Sequence, residues 1–395
     1  MSADTDREVA PDGGTVAETD AGTASGSSGL SALRERDDFV VLATAAALVV
    51  FPFLLIDVLG AVGDVIGFSI GGYTGLPSLV LIYGIIVIGF NLLLGYTGLL
   101  SFGHAAFFGS AAYAAALLSQ VIHSPILMVL VGAVVATLLA WPIGFVSIRR
   151  SGVYFAVLTL TFGQALYFWA LGPGAWLTNG DNGFSEIEAE GLFLGALSLD
   201  AELIPVLDSY TVMYAFSAIM MLVAVWVANR IINSPYGLIF EALGENEERV
   251  EFVGLNVFRY KLMAFVISAI FAGVGGAMFV IHEQYIHPTT GLYWIQSGDF
   301  VIMTVLGGTG SLIGPVFGAF IFEYVANVVS GIVLPGGASI GSLWRFVLGA
   351  VFVFIVWVFP RGVYGAAADL IRFVTDRSGG EGGNEPAATD GGERE

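Results

Sequence analysis

Apolar residues follow one another along this chain in long runs that short polar segments separate. Four such runs are Phe39–Leu59, Pro125–Ile148, Tyr210–Val227 and Phe346–Phe359, and Asp57 is the only charged residue in them. A helix needs about 20 predominantly apolar residues to cross a hydrocarbon core of roughly 30 Å. Helices also satisfy their own backbone hydrogen bonds in lipid. The pattern therefore predicts an all-α polytopic membrane protein.

The positions of the basic residues indicate how the runs cross the membrane. Most basic residues form four groups, which begin at Arg34, Arg149, Arg230 and Arg361. Because positive residues favour the cytoplasmic side, an even number of crossings should separate successive groups. This rule predicts about ten transmembrane helices with both termini in the cytoplasm. The predicted spans are Phe39–Leu59, Pro77–Gly95, Ser101–Gln120, Pro125–Ile148, Val153–Gly172, Tyr210–Ala228, Leu262–Ile281, a short segment around Phe300, Gly314–Ile332 and Leu343–Phe359.

Composition divides the chain into a membrane domain and two tails. The 395 residues are 56% hydrophobic and 12% charged, with a net charge of −19 and a mean hydropathy of +0.83. Segments rich in Gly, Ser, Asp and Glu bury too little apolar surface to fold, so residues 1–37 are predicted to be an acidic, disordered cytoplasmic tail. Residues 38–362 form the predicted transmembrane domain, and residues 363–395 a cytoplasmic tail that is disordered from about residue 378.

The charge of the chain, and the residue types that it lacks, limit which partners and which kinds of site are expected. Lys261 is the only lysine, and cysteine is absent, which excludes disulfides and cysteine-based metal sites. An acidic surface nearly free of lysine resembles the proteins of salt-loving archaea, where cations screen the self-repulsion; a chance bias is the alternative. The expected surroundings are the lipid bilayer, and nucleic acid is not an expected partner. No cleavable signal peptide is predicted, because the first apolar run follows an acidic tail.

Charged residues gather in one internal stretch, EALGENEERVEFVGLN, which starts at Glu241. Ser234 and Pro235 form a helix-start signal, and Gly254 favours a stop. One amphipathic cytoplasmic helix, Pro235–Val253, is therefore predicted within a loop of residues 233–260. This helix has three interpretations: a solvated connector, a helix on the bilayer surface, or a helix that docks on another protein. Surface helices favour Lys and Arg, so the acidic polar face and apolar stripe favour a protein partner.

Four segments resemble, in the same order, those of a known family. They are GYTGLLSFGHAAFFGSAAYAAALL from Gly95, SGVYFAVLTLTFGQAL from Ser151, the charged stretch with the helix that follows it, and VLGGTGSLIGPVFGA from Val305. Together they resemble the permeases of ABC importers, most closely the LivM-type permeases for branched-chain amino acids. Four ordered motifs are more specific than one glycine-rich match. The chain departs from the family at Phe240–Gly244, which lacks the usual basic residues before the glutamates of the loop.

The resemblance implies ATP-driven import of amino acids with apolar side chains by a complex of several subunits. It implies ABC ATPase subunits, a homologous second permease subunit and an extracytoplasmic substrate-binding protein. A P-loop needs G-x-x-x-x-G-K-[ST], and Lys261 lies in no such motif. ATP and magnesium are therefore expected on the ATPase, and no cofactor on this chain. The residues expected to couple to the ATPase are Glu241, Ala242, Leu243, Gly244, Glu245, Asn246, Glu247, Val250 and Gly254.

Isolated polar residues and glycines within the spans are candidates for the substrate path. An ionisable side chain inside a membrane is a functional hypothesis, so His104 is either a path residue or a neutral histidine bonded to the backbone of a neighbouring helix. The glycines of VLGGTGSLIGP, with Pro315, predict a break between half-helices. No metal site and no catalytic residue are predicted. The candidate path residues are Asn91, His104, Thr161, Gln164, Gly307, Gly308 and Gly310.

The segment TNGDNGF, which contains Asp181, resembles the short turn that the family has outside the membrane. Asn, Asp and Gly are good turn residues, so a structural turn explains the segment. Contact with the external binding protein is the alternative.

Other functions compete with import of branched-chain amino acids. Related permeases for urea, short amides or sugars share the architecture. An ion-coupled secondary carrier would place paired carboxylates deep in the bundle, but the acids near the spans are few, namely Asp57, Asp299 and Glu323. This deficit argues against a carrier. An intramembrane enzyme would need a catalytic dyad, which the sequence lacks.

Overall fold

A computed structural model describes residues 39–52, 75–185, 187, 209–331, 343–359 and 362–366. The predicted tails lie outside these ranges, except for residues 363–366, which are helical. The last part of the first predicted span, after Pro52, also lies outside them. The longer helices are α1 (Phe39–Pro52), α2 (Leu76–Asn91), α3 (His104–Ser119), α4 (Pro125–Ser147), α5 (Val153–Leu171), α6 (Ser209–Ile232), α7 (Pro235–Glu245), α8 (Glu247–Phe252), α9 (Val257–Glu283), α10 (Trp294–Gly307), α11 (Gly314–Gly331) and α12 (Trp344–Val358).

Each of the ten predicted spans coincides largely with one of these helices. The two remaining helices, α7 and α8, lie in the charged loop. Six helical segments of the described chain are long and apolar enough to cross a membrane, and α1, α3 and α11 are shorter apolar helices. The helix around Phe300, α10, has 14 residues, or ~21 Å at 1.5 Å per residue. The chain is a helical, multi-pass membrane protein, and the count of ten spans stays a prediction.

The centre of the bundle is α2. All 16 of its residues are buried, as expected for a helix that is apolar on every side. α2 packs against α9, α10, α11 and α6, while α9 also packs against α3 and α4. The two helices α2 and α9 therefore join most of the other helices to one another.

Three glycines of α9 allow three different helices to approach it. A Cβ at Gly275 would overlap the side chain of Ile86 in α2, and one at Gly276 would overlap the carbonyl oxygen of Phe108 in α3. A Cβ at Gly273 would lie 2.5 Å from a side-chain carbon and 2.9 Å from a backbone oxygen of α4. Small residues at such positions let membrane helices pack closely. The glycine run from Gly273 to Gly276 is therefore explained by packing.

A short antiparallel pair of strands joins two loops. Strand β1 (Phe184–Ser185) pairs with β2 (Tyr285–Ile286). Asn179 before β1 has a left-handed φ of 59°, which agrees with the predicted turn around Asp181. His287 Nε2, just after β2, lies 3.0 Å from the Asp181 carbonyl oxygen.

Candidate functional site

A buried amide holds the loop between α10 and α11, where the predicted helix break is confirmed. Asn91 donates from Nδ2 to the Ser311 carbonyl over 2.9 Å, and its Oδ1 accepts from the Gly310 backbone N–H over 3.1 Å. Gly308 and Gly310 have φ angles of 106° and 85°, values that residues with a Cβ rarely adopt. The shape of this loop therefore depends on its glycines and on Asn91.

The chain that follows Asn91 departs from regular α-helix. Leu92–Tyr96 form a π-helical turn at the end of α2, and such turns are rare and frequently found at functional sites. Gly95 belongs to this turn. A Cβ at Gly95 would overlap Asn91 Oδ1 and would lie 2.7 Å from the Gly310 nitrogen. The absence of a side chain at Gly95 thus allows the Asn91 amide to contact the loop at Gly310.

His104, the first residue of α3, is completely buried. Its Nδ1 lies 3.0 Å from Ser101 Oγ, and its Nε2 lies 2.9 Å from Ser268 Oγ in α9. The interpretation that His104 bonds the backbone of a neighbouring helix is therefore wrong about the bonding partner. The imidazole instead joins two hydroxyl groups. The imidazole ties α3 to α9. Three aromatic rings meet it edge-on: Phe90, Phe107 and Phe265.

The polar residues of α5 have different surroundings. Thr159 is buried, and its Oγ1 accepts a hydrogen bond of 3.2 Å from the Phe102 backbone N–H. Thr161 is exposed and donates to the Val157 carbonyl of its own helix over 2.9 Å. Gln164 Nε2 is buried and has no hydrogen-bond partner among the described residues. Among the described residues, neither Thr161 nor Gln164 is hydrogen-bonded to the network around His104.

The charged stretch forms two helices where one continuous helix is predicted. Ser234 and Pro235 start α7 as expected, but Asn246 is extended, with a φ of −161°, and interrupts the helix. Its side chain accepts a hydrogen bond of 3.1 Å from the Arg249 backbone N–H and so caps the start of α8. Asparagine is a strong N-cap residue. Gly254 then stops α8 with a φ of 88°, and this part of the prediction is confirmed.

The apolar stripe of this helix pair faces its own chain. Phe240, Leu243 and Val250 are only 1%, 2% and 5% exposed. Leu243 and Val250, which are predicted to couple to the ATPase, are therefore covered by their own chain, because periodicity identifies an apolar face without identifying what covers it. Their coupling role stays a prediction. Phe252 and Val253, at the end of α8, are 89% and 80% exposed. Tyr236 and Leu238 of α7 are also exposed, at 51% and 69%, so the exposed surface of the pair has apolar residues on both helices.

The predicted coupling and path residues fall into distinct burial classes. Among the coupling residues, Leu243 and Val250 are buried, and Ala242 and Glu247 are partly exposed. The exposed coupling residues are Glu241, Gly244, Glu245, Asn246 and Gly254. Among the path residues, Asn91, His104, Gly307 and Gly308 are buried, Gln164 is partly exposed, and Thr161 and Gly310 are exposed.

Besides its buried apolar side chains, the helix pair α7–α8 makes two further contacts with the rest of the protein. A Cβ at Gly244 would overlap the carbonyl oxygen of Tyr96, so α7 rests directly on the π-helical turn of α2. Lys261 of α9 forms an ion pair with Glu247 of α8. The role of Lys261 was not predicted from the sequence, although a lone lysine beside an apolar run is a visible signal.

Three carboxylates that are separate in the sequence lie near one another. Asp299 and Glu283 are within electrostatic range of Glu323. Beside them, Gln296 Nε2 donates to the Tyr83 hydroxyl over 3.3 Å. The described residues contain no group of three His, Cys, Asp or Glu side chains placed to hold a metal ion.

Comparisons with known proteins agree on a transport family. Residues 72–356 match the family model described as branched-chain amino acid transport system / permease component. The high-affinity branched-chain amino acid transport system permease protein LivM of Escherichia coli is 28% identical over 299 residues, which are 69% of each chain. LivM of Salmonella typhimurium is 27% identical over 69% of each chain. The xylose transport system permease protein XylH of Escherichia coli is 27% identical over 36% of this chain and 42% of its own.

Proposed function

Since the chain belongs to the family of branched-chain amino acid transport permease components, we propose that it is the membrane-spanning permease subunit of an ABC importer. The observation that carries the proposal is the helix pair α7–α8, which is fastened to α2 and α9 on one side and exposed on the other. An exposed helix with inward links to buried polar residues is suited to receive a movement from another subunit. The proposed complex also contains a second permease and an extracytoplasmic binding protein.

The proposed ATPase docks on the exposed side of α7–α8, in the cytoplasm. Phe252 and Val253 offer an apolar contact there, and Glu241 and Glu245 offer negative charge. The complementary surface is therefore basic around an apolar pocket. ATP and magnesium belong to that partner, because this chain has no P-loop lysine. The acidic, nearly lysine-free composition supports a salt-rich setting as part of the proposal.

The proposed substrate path runs along α5 and the buried polar residues near it. Gln164 Nε2, which is buried without a hydrogen-bond partner in the part of the chain that the structure describes, supports this placement, because such a group costs about 1–3 kcal/mol unless a partner or water satisfies it. A second permease or the substrate path itself would supply that partner. Asn91, His104 and the loop at Gly308 position the helices beside the path.

Branched-chain amino acids are the proposed substrates. The LivM relatives match 69% of this chain, whereas the xylose permease matches 36%, so the likeness to the amino acid permeases is the broader one. The described spans offer apolar walls, and the ends of the broken helices could meet the charged groups of a zwitterion.

Deleting the gene is expected to reduce uptake of labelled leucine, isoleucine and valine by at least about tenfold, because the permeation path is lost. The measurement is initial uptake at submicromolar substrate in cells with and without the gene, with a plasmid-borne copy as the control. Uptake of urea and xylose should not change. Normal leucine uptake with lost xylose or urea uptake would keep the transporter and overturn the substrate.

A further inference from the structure

The only lysine of the chain is buried at the base of α9. Lys261 is 3% exposed, and its Nζ donates a hydrogen bond to Glu247 Oε1. Glu247 is the first residue of α8, and its side chain is 44% exposed, whereas that of Lys261 is 4% exposed. The carboxylate thus reaches from the free helix pair into the bundle. A buried ammonium is costly unless it is paired, so the position of α8 is bound to that of α9.

The ion pair and the buried network of His104 are both attached to α9. Lys261 and Ser268 are seven residues apart in α9, so they lie on the same face about 10 Å apart along the axis. Ser268 Oγ is 2.9 Å from His104 Nε2. The neighbouring Ser101 belongs to the segment before α3. A shift of the base of α9 would therefore move the hydrogen-bonded start of α3.

The contact between Gly244 and Tyr96 has a different character from the ion pair. Gly244 meets Tyr96 only by close backbone packing, which resists compression but does not hold against separation. An ion pair resists both. Exposed charged neighbours of Glu247 in α8, such as Glu248, are expected to contribute little, because exposed ion pairs are worth about 0–1 kcal/mol.

We propose that Lys261 and Glu247 are positioning residues that transmit movement of α7–α8 to α9 and from there to His104. This inference rests on the proposed function, in which an ATPase moves the helix pair. The pair does not touch the substrate. Loss of the ion pair should leave ATP hydrolysis intact but lower the amount of substrate carried for each ATP hydrolysed.

The test compares Glu247→Gln, Lys261→Met and Lys261→Arg in the complete complex, reconstituted in proteoliposomes. The readout is leucine carried per ATP hydrolysed, with the amount of bound ATPase measured in parallel. Glu247→Gln and Lys261→Met should lower the ratio at least tenfold with the ATPase still bound, while Lys261→Arg keeps most of it. Glu248→Gln, which removes an exposed charge one residue away, is the matched control and should keep the ratio.

Several results would overturn the inference. They are an unchanged ratio in both neutral variants, an equal loss in Lys261→Arg and Lys261→Met, and a loss explained entirely by missing ATPase. If Lys261→Met does not assemble, Glu247→Gln decides, because it preserves the shape of the side chain. Absence of ATP-driven uptake by the unmodified complex would instead contradict the proposed function.

Discussion

Gly244→Val is expected to reduce substrate uptake at least about tenfold while the protein still inserts into the membrane. A Cβ at this position would overlap the carbonyl oxygen of Tyr96, and a backbone atom cannot turn away as a side chain can. Overpacking of this kind costs about 1–3 kcal/mol, which should displace α7 from the π-helical turn. The measurement is uptake in cells, normalised to the amount of protein in the membrane.

The matched control for Gly244 is Gly349→Val. Gly349 lies in α12, where an added Cβ would meet no atom of the described residues within 4 Å, so uptake should stay close to normal. Normal uptake in Gly244→Val would show that the close contact between α7 and α2 is not needed for transport. Equal losses in both variants would show that any valine at a helical glycine has this effect.

His104→Leu is expected to destabilise the protein by about 1–3 kcal/mol, because Ser268 would lose the ring that it bonds and a buried polar group without its partner has a cost of that size. Ser101 would also lose the ring but would keep the hydrogen bond that its Oγ accepts from the Gly103 backbone N–H over 3.3 Å. The measurement is the thermal unfolding midpoint of the purified protein in detergent, and Ser268→Ala should have a smaller effect.

The control for His104 is Thr137→Val. Thr137 Oγ1 bonds only the Ala133 carbonyl of its own helix, over 2.7 Å, so its loss should change the stability by within about 0.5 kcal/mol. Equal midpoints for His104→Leu and the unmodified protein would contradict the structural role of the imidazole. Lost uptake with an unchanged midpoint would instead favour His104 as a path residue.

Local patterns predicted the helices well, because hydropathy and helix signals act over short stretches. The break at Gly308 and the stop at Gly254 both follow from glycines that take left-handed backbone angles. The interruption at Asn246 was readable too, since asparagine followed by two glutamates is a helix-start signal. However, the apolar spacing continues on both sides of Asn246, and this spacing is what predicts one continuous helix.

Long-range partners could not be predicted from one sequence. Glu247 and Lys261 lie in different helices 14 positions apart, and His104 and Ser268 are 164 positions apart, so the periodicity of a single helix does not predict either contact. The sequence also does not show which surface covers the apolar stripe of α7–α8. Leu243 has the same place in the pattern whether its own chain or a partner covers it, and only packing shows that it is buried.

Asp299 and Glu283 lie within electrostatic range of Glu323, which bears on the choice between an ABC importer and an ion-coupled carrier. Carboxylates inside a membrane often bind and release cations during transport. An importer powered by an ATPase does not need such a group, whereas a carrier does. The energy source of uptake therefore distinguishes the two functions directly.

The most direct measurement is leucine uptake into proteoliposomes that contain this chain, its proposed second permease, the ATPase subunits and the binding protein. The account predicts uptake that requires ATP inside the vesicles and is unchanged when proton and sodium gradients are collapsed. Uptake by this chain alone, driven by an ion gradient without ATP, would contradict it.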